Sequence, residues 1–187
     1  DIPLPGMTML HDMSLTERYA VVYDQPCTVD LELAFAGRFP FRWNPEYGNR
    51  VGLLPREVTG RAATAADIIW IDVPLGYSFH PMNAYDTPDG DVVIDICVYS
   101  KMFDEDVRGP FGVDGHPRLE RWVLNPARRT SSVTVIDSGA NEFPRHRGSL
   151  SGKAYRYGYC TQPSFDDNTA GWPTLKHDLL TGERVMF

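Results

Sequence analysis

The sequence predicts an all-β fold, and three observations support this prediction. Glycine and proline number 16 and 15 among 187 residues, and they interrupt almost every window long enough for a helix. Short runs rich in β-branched and aromatic residues recur along the chain. Turn-forming residues separate these runs, as antiparallel hairpins require. We therefore expect a chain built from antiparallel sheets.

Along the chain, the sequence predicts two separate strands first and three hairpins after them. The first two runs are Tyr19–Tyr23 and Ile68–Val73. The clearest hairpin joins Phe79–Asp86 to Asp91–Tyr99 through a Pro-Asp-Gly turn, in which proline presets φ, aspartate caps the turn and glycine takes the positive φ. Two further hairpins are predicted, pairing 119–124 with 132–137 and 174–179 with 184–187.

The spacing of the predicted turns suggests an architecture. Successive turns lie roughly forty to fifty residues apart, which is typical of four-stranded β-propeller blades. A β-sandwich also gives regular hairpins, so the spacing alone leaves both architectures open. The chain begins without methionine and its last predicted strand ends on Phe187. We expect residues 1–187 to be an internal portion of one propeller domain, incomplete at both ends.

Composition excludes several functional classes. The 42% hydrophobic and 23% charged fractions are those of an ordinary globular protein, and no run approaches the ~20 apolar residues that span a bilayer. The net charge of −7 argues against a nucleic-acid partner. Cys27, Cys97 and Cys160 lie far apart and lack a zinc-binding spacing, so we expect buried, reduced thiols in a cytoplasmic protein.

Five histidines are candidate metal ligands, and no pair has the spacing of a helix-borne site. Isolated histidines are more often structural or surface residues. His11 has the strongest context because it follows apolar residues and lies just before the predicted strand Tyr19–Tyr23. At the inner end of a propeller strand, a histidine points toward the axis where ligands from several blades converge. Imidazole binds iron, zinc or copper, so the residue type does not choose the metal.

Six segments, in order, resemble motifs of the carotenoid cleavage oxygenases, a family that includes stilbene-cleaving dioxygenases and the visual-cycle retinoid isomerase. The segment containing His11 is similar to the family pattern Met-x-His-Asp-Phe-x-x-Thr-x-x-Tyr/Phe. Met13 replaces the usual phenylalanine, and Asp86 in another segment replaces a glutamate. The resemblance covers nearly all of this chain but less than half of a whole family enzyme. The six segments are 9–19, 39–45, 50–56, 79–86, 141–145 and 153–159.

The resemblance implies a seven-bladed propeller that holds Fe²⁺ with four histidines from separate blades. It implies that His11 is one ligand and that Glu142 accepts the Nδ1–H of a ligating histidine, which we expect to be His11. His80 lies in a matched segment but is expected to be structural, with its hairpin pinned by Asn83. The other three ligands are expected outside this chain. The remaining histidines are expected in loops or at the surface: His116, His146 and His177.

The resemblance also implies a function. The parent enzyme is expected to insert O2 across a conjugated carbon–carbon double bond of a carotenoid or apocarotenoid, giving two carbonyl products. One alternative is a lignin-derived stilbene substrate, and another is a non-catalytic propeller scaffold. Such substrates partition into membranes, and we expect peripheral membrane contact through regions not in this chain. Residues 1–187 alone, with one ligand of four, are expected to be inactive.

Overall fold

The computed structural model describes residues 1–58, 61–105, 115–163 and 171–187. Three four-stranded antiparallel sheets follow one another along the chain, and a two-stranded hairpin is inserted into the first. The prediction of an all-β fold with four-stranded antiparallel sheets is confirmed. Within these ranges, no helix has the length and apolar composition needed to span a bilayer.

The first sheet contains an inserted segment. It begins with β1 (Met13–Leu15) and β2 (Tyr19–Asp24). The chain then forms β3 (Cys27–Val29), a five-residue helix α1 (Leu31–Phe35) and β4 (Phe41–Trp43) before returning as β5 (Arg50–Pro55) and β6 (Ile69–Asp72). The sheet order is β1-β2-β5-β6.

The second and third sheets are simple meanders, in which each strand pairs with the next along the chain. The second contains β7 (Pro81–Asp86), β8 (Val92–Val98), β9 (Arg118–Asn125) and β10 (Thr130–Asp137). The third contains β11 (Glu142–His146), β12 (Tyr157–Thr161), β13 (Thr174–Asp178) and β14 (Arg184–Met186).

The first strands of the three sheets lie next to one another. β7 contacts β1 on one side and β11 on the other, and β10 contacts β6 at the outer edge. All seven residues of β8 are buried, because both faces of the second sheet are covered. Four-stranded meanders packed face to face around a common inner edge are the blades of a β-propeller.

Apolar side chains fill both interfaces between blades. The interface between the first and second blades contains Val21, Leu53, Ile71, Ile94 and Trp122. The interface between the second and third contains Met82, Cys97, Leu119, Cys160 and Leu175. A third cluster packs the inserted hairpin against the start of the second blade, and it contains Cys27, Tyr77, Phe79, Tyr99, Met102 and Phe103.

The predicted hairpins are present, and the first two belong to the same sheet. The turns at 87–90 and 126–129 both belong to the second sheet, because β7, β8, β9 and β10 form one meander. The long connection between β8 and β9 gives these two turns the spacing of separate blades. The repeat is instead visible in the inner strands, which begin at Met13, Pro81 and Glu142.

Candidate metal site

Three side chains with metal-site chemistry lie at the starts of the three inner strands. His11 comes two residues before β1, His80 directly precedes β7, and Glu142 is the first residue of β11. Because these strands are adjacent, the three residues come from three different blades and lie at the same end of them. The fold therefore brings together residues 69 and 62 positions apart in sequence.

The His11 ring is held by a backbone carbonyl. Its Nδ1 lies 3.1 Å from the carbonyl oxygen of Phe79, and a carbonyl can only accept, so Nδ1 carries the proton. Nε2 then carries the lone pair, and it has no hydrogen bond to any residue in the described part of the chain. The His80 ring lies beside it, with ring centroids 5.1 Å apart and an interplanar angle of 89°.

The His80 ring is held by Glu142. Nδ1 of His80 lies 2.7 Å from Oε2 of Glu142, and the side chains are 23% and 1% exposed respectively. The same Oε2 accepts the amide N–H of Phe143 at 2.5 Å. Phe143 has φ of +48° and lies at an irregularity in the β11–β12 pairing, which allows its amide to turn back to the carboxylate. Among the described residues, Nε2 of His80 has no hydrogen-bond partner either.

The sequence predicts that Glu142 supports His11, but in the structure its carboxylate bonds His80 instead. The reason is the order of the inner strands, since β11 borders β7 whereas β1 lies on the far side of β7. His80 therefore has the arrangement typical of a metal-bound histidine, with Nδ1–H held by an oxygen and Nε2 free. The sequence carries a signal for this, because both histidines lie within two residues of the start of an inner strand, His80 at β7 and His11 at β1.

The outer neighbours of the pair are aromatic. The Phe79 ring meets the His11 ring edge-on at 5.1 Å, and the Phe143 ring lies 5.1 Å from the His80 ring. Phe143 in turn stacks on Trp172 at 5.8 Å. Beyond the pair, a cavity of about 290 Å³ extends between the three inner strands. The two rings therefore have aromatic neighbours, whereas the cavity is lined by polar as well as apolar side chains.

The Asn83 side chain forms hydrogen bonds to the neighbouring blade and not to its own hairpin. Its Nδ2 donates to the carbonyl oxygens of Leu150 and Lys153 at 3.1 Å, and its Oδ1 accepts the amide of Gly152. These bonds fix the turn after β11 against β7. The expectation that Asn83 holds the His80 hairpin is therefore wrong, and its effect is to hold the blades that carry His80 and Glu142 together.

The remaining histidines are not part of the pair. His116 is exposed, and His146 is half-buried and bonds Ser151 Oγ at 2.9 Å. His177 is only 3% exposed and bonds Asn141 Oδ1 at 2.8 Å, so its expected surface position is wrong. It lies on the same face of β13 as Leu175, which packs in the interface between the second and third blades.

The cysteines are buried thiols, as expected. Hydrogen bonding from Cys97 is the largest influence that lowers the pKa of Cys160 to about 7. In the described ranges, no group of three or more His, Cys, Asp or Glu side chains is arranged to hold a metal. The histidine pair would therefore supply part of a ligand set.

The sequence of the chain is similar to those of known proteins from one family. The sequence model described as "RPE65: Retinal pigment epithelial membrane protein" matches residues 1–187. A carotenoid cleavage oxygenase of Mycobacterium tuberculosis is 34% identical over 233 residues, which cover all of this chain and 45% of that protein. Lignostilbene-α,β-dioxygenase isozyme III of Sphingomonas paucimobilis is 28% identical over 173 residues, covering 85% of this chain and 34% of that protein.

The solved structures agree with the sequence relatives. The crystal structure of cobalt-substituted Synechocystis apocarotenoid oxygenase superposes with a TM-score of 0.80 at 25% identity, covering 98% of this chain and 39% of that one. The chain thus spans less than half the length of the proteins it matches. The family predicted from six short segments is confirmed. Because the family model covers every residue, the chain belongs to the RPE65 family of carotenoid cleavage oxygenases.

Proposed function

We propose that the whole protein carrying this sequence is a non-haem Fe²⁺ dioxygenase. In this proposal it cleaves a conjugated carbon–carbon double bond of a carotenoid or apocarotenoid with O2 and releases two carbonyl products. The observation that carries the proposal is the pair His11 and His80, each with Nδ1–H held by an oxygen and Nε2 left free, at the inner ends of adjacent blades.

The residues present fit such a metal. His11 and His80 would hold it through Nε2, and Glu142 and the Phe79 carbonyl orient the two rings and raise their basicity. When bound, iron supplies the activation of dioxygen. The cobalt-substituted form of the Synechocystis relative supports a divalent metal in this fold. In this proposal His11 and His80 are ligands and Glu142 supports His80 in place of His11. The other ligands are expected in parts of the protein outside this chain.

The aromatic surroundings favour an apolar, conjugated substrate. Phe79 and Phe143 border the two histidines, and an apolar border excludes water from the reacting bond. Phe143 is held in the left-handed region, which costs about 1–3 kcal/mol and is a form of strain found most often at functional sites. This backbone conformation presents the ring beside His80 while the Phe143 amide binds Glu142.

A stilbene is the second candidate substrate, and the lignostilbene dioxygenase relative favours it. Both substrate classes offer a conjugated double bond to the same histidine pair. Incubation of the whole protein with an apocarotenoid and with a hydroxystilbene, followed by mass identification of the aldehydes, separates the two. A non-catalytic scaffold would yield aldehydes from neither.

We also propose peripheral contact with a membrane in an otherwise cytoplasmic protein. The sequence predicts this contact through regions outside this chain, but Leu31 and Phe35 on α1 are 52% and 87% exposed. An exposed apolar surface of this kind suits the extraction of a substrate from lipid. Phe35→Glu should reduce co-sedimentation with phosphatidylcholine vesicles, whereas the control Leu180→Glu, at a 78% exposed position in the β13–β14 turn, should not. Equal loss in both variants would contradict this contact surface.

The metal site is tested by substitution in the whole protein. His11→Ala and His80→Ala should each lose most of the iron measured by mass spectrometry after anaerobic reconstitution, and both should lose aldehyde production. His116→Ala is the matched control, because His116 is exposed and, within the described ranges, bonds the Ser138 carbonyl. Stoichiometric iron and normal activity in His80→Ala would remove His80 from the ligand set. Absence of iron in the unsubstituted protein would favour the scaffold.

A further inference from the structure

Glu142 uses only one of its two oxygens at the histidine pair. Oε2 accepts from both His80 Nδ1 and the Phe143 amide. Oε1 is buried and has no hydrogen-bond partner in the described ranges. The hydroxyl of Tyr99 is unpaired as well. Tyr99 is fully buried, and its hydroxyl has no hydrogen-bond partner among the described residues. Buried polar atoms are seldom left unpaired, so two such atoms in one region require an explanation.

Tyr99 lies close to the residues that hold the two histidines. Its backbone follows β8 and exchanges hydrogen bonds with Tyr77 at 2.8 and 2.9 Å. Its ring lies 5.8 Å from the ring of Phe79. Phe79 directly precedes His80, and the Phe79 carbonyl holds the His11 ring. Burial, and after it the negative charge of Glu142, raise the pKa of Tyr99. The phenol therefore keeps its proton and can meet a carboxylate only as a donor.

We propose that Tyr99 is a positioning residue for the metal site, and that its hydroxyl donates to Oε1 of Glu142. This bond would hold the carboxylate from the side opposite His80, so that Oε2 stays directed at Nδ1. The hydrogen-bond relay would then run from the Tyr99 hydroxyl through the Glu142 carboxylate to the His80 ring, whose Nε2 would bind the metal. The inference rests on the proposed function, because it assigns Tyr99 to the orientation of a metal ligand.

Removing the hydroxyl tests the relay in the whole protein. Tyr99→Phe keeps the ring and its packing, and Co²⁺ titration followed by visible absorption reports the metal site without turnover. We expect the dissociation constant for Co²⁺ to rise about 10-fold, the range found for outer partners of metal ligands. Tyr155→Phe is the matched control, because the Tyr155 hydroxyl donates at 2.7 Å to another buried carboxylate, that of Asp95. Its dissociation constant should stay within about twofold of the unsubstituted value.

A double substitution separates orientation from general packing. In a Glu142→Gln background, Tyr99→Phe should change Co²⁺ binding by less than about twofold, because residues acting in one network are not additive. Additive effects, or a Tyr99→Phe protein that binds Co²⁺ as tightly as Tyr155→Phe, would overturn the proposal. If Tyr99→Phe does not fold, 3-fluorotyrosine at position 99 keeps the ring and strengthens the donor, so weaker Co²⁺ binding would contradict the relay.

The outcomes also distinguish this inference from the proposed function. If His80→Ala abolishes Co²⁺ binding while Tyr99→Phe leaves it unchanged, the metal site stands and the relay fails. If His80→Ala leaves Co²⁺ binding unchanged, the proposed ligand set itself fails.

Discussion

Substitution of His80 by alanine should destabilise the metal-free protein far more than substitution of His11. Glu142 is 1% exposed, and His80 Nδ1 is its partner at 2.7 Å. Removing the His80 imidazole takes a side-chain donor from the buried Glu142 carboxylate, which keeps the Phe143 amide, and an under-satisfied buried carboxylate costs roughly 2–4 kcal/mol. His11 is exposed and loses one hydrogen bond to a carbonyl, so its removal should cost at most about 1 kcal/mol.

Urea unfolding of the two metal-free variants, followed by tryptophan fluorescence, measures the difference. We expect the free energy of unfolding of His80→Ala to lie about 2 kcal/mol below that of His11→Ala. A second substitution, Glu142→Gln in the His80→Ala background, should restore part of the loss because a neutral amide is cheaper to bury than an unpaired carboxylate. Equal stability of the two single variants would refute the reasoning, since Glu142 would then not depend on His80.

Three further outcomes concern the packing that holds the site. Gly158→Ala should cost about 1–3 kcal/mol in urea unfolding, because its Cβ would lie 2.8 Å from Met82 Cε, and a Met82→Ala background should remove most of that cost. Asn83→Ala should cost about 1–2 kcal/mol by the same assay, because it leaves part-buried backbone groups of the next blade without their side-chain partner. Arg156 lowers the pKa of Asp178 from 3.8 to about 2, so the stabilisation is complete above pH 4 and is lost as pH falls toward 2. Asp178→Asn should therefore flatten acid unfolding in this interval, and an unchanged profile would contradict the pairing.

Local chemistry was sufficient to predict most strands. Tyr19–Tyr23 and Ile68–Val73 correspond to β2 and β6 within two residues, and the Pro-Asp-Gly turn joins β7 to β8 as expected. Such runs are determined by side chains and turn residues that are near in sequence. Helix α1 was missed because it has only five residues, and its clearest signal is a single capping residue, Asp30, whose side chain accepts from two backbone amides.

The site was only partly predictable because it depends on contacts between blades. His11 and Glu142 were selected from their segments, but the choice of His80 as the partner of Glu142 follows from the order of the inner strands, which no local pattern encodes. The burial of His177 has the same origin, since a polar strand becomes buried when another blade packs on it. Turn spacing alone does not show which hairpins share a blade, because the length of a connection is unrelated to blade membership.

His11, His80 and Glu142 each belong to a different blade. A metal on the two histidines would join the first blade to the second, and the bond from Glu142 joins the second to the third. The free energy of metal binding would then add to the cooperativity between blades, since a site absent from the unfolded chain couples binding to folding. Amide hydrogen exchange should therefore slow across β7 and β11 when metal is added, while the outer strand β14 should exchange at nearly the same rate with or without metal.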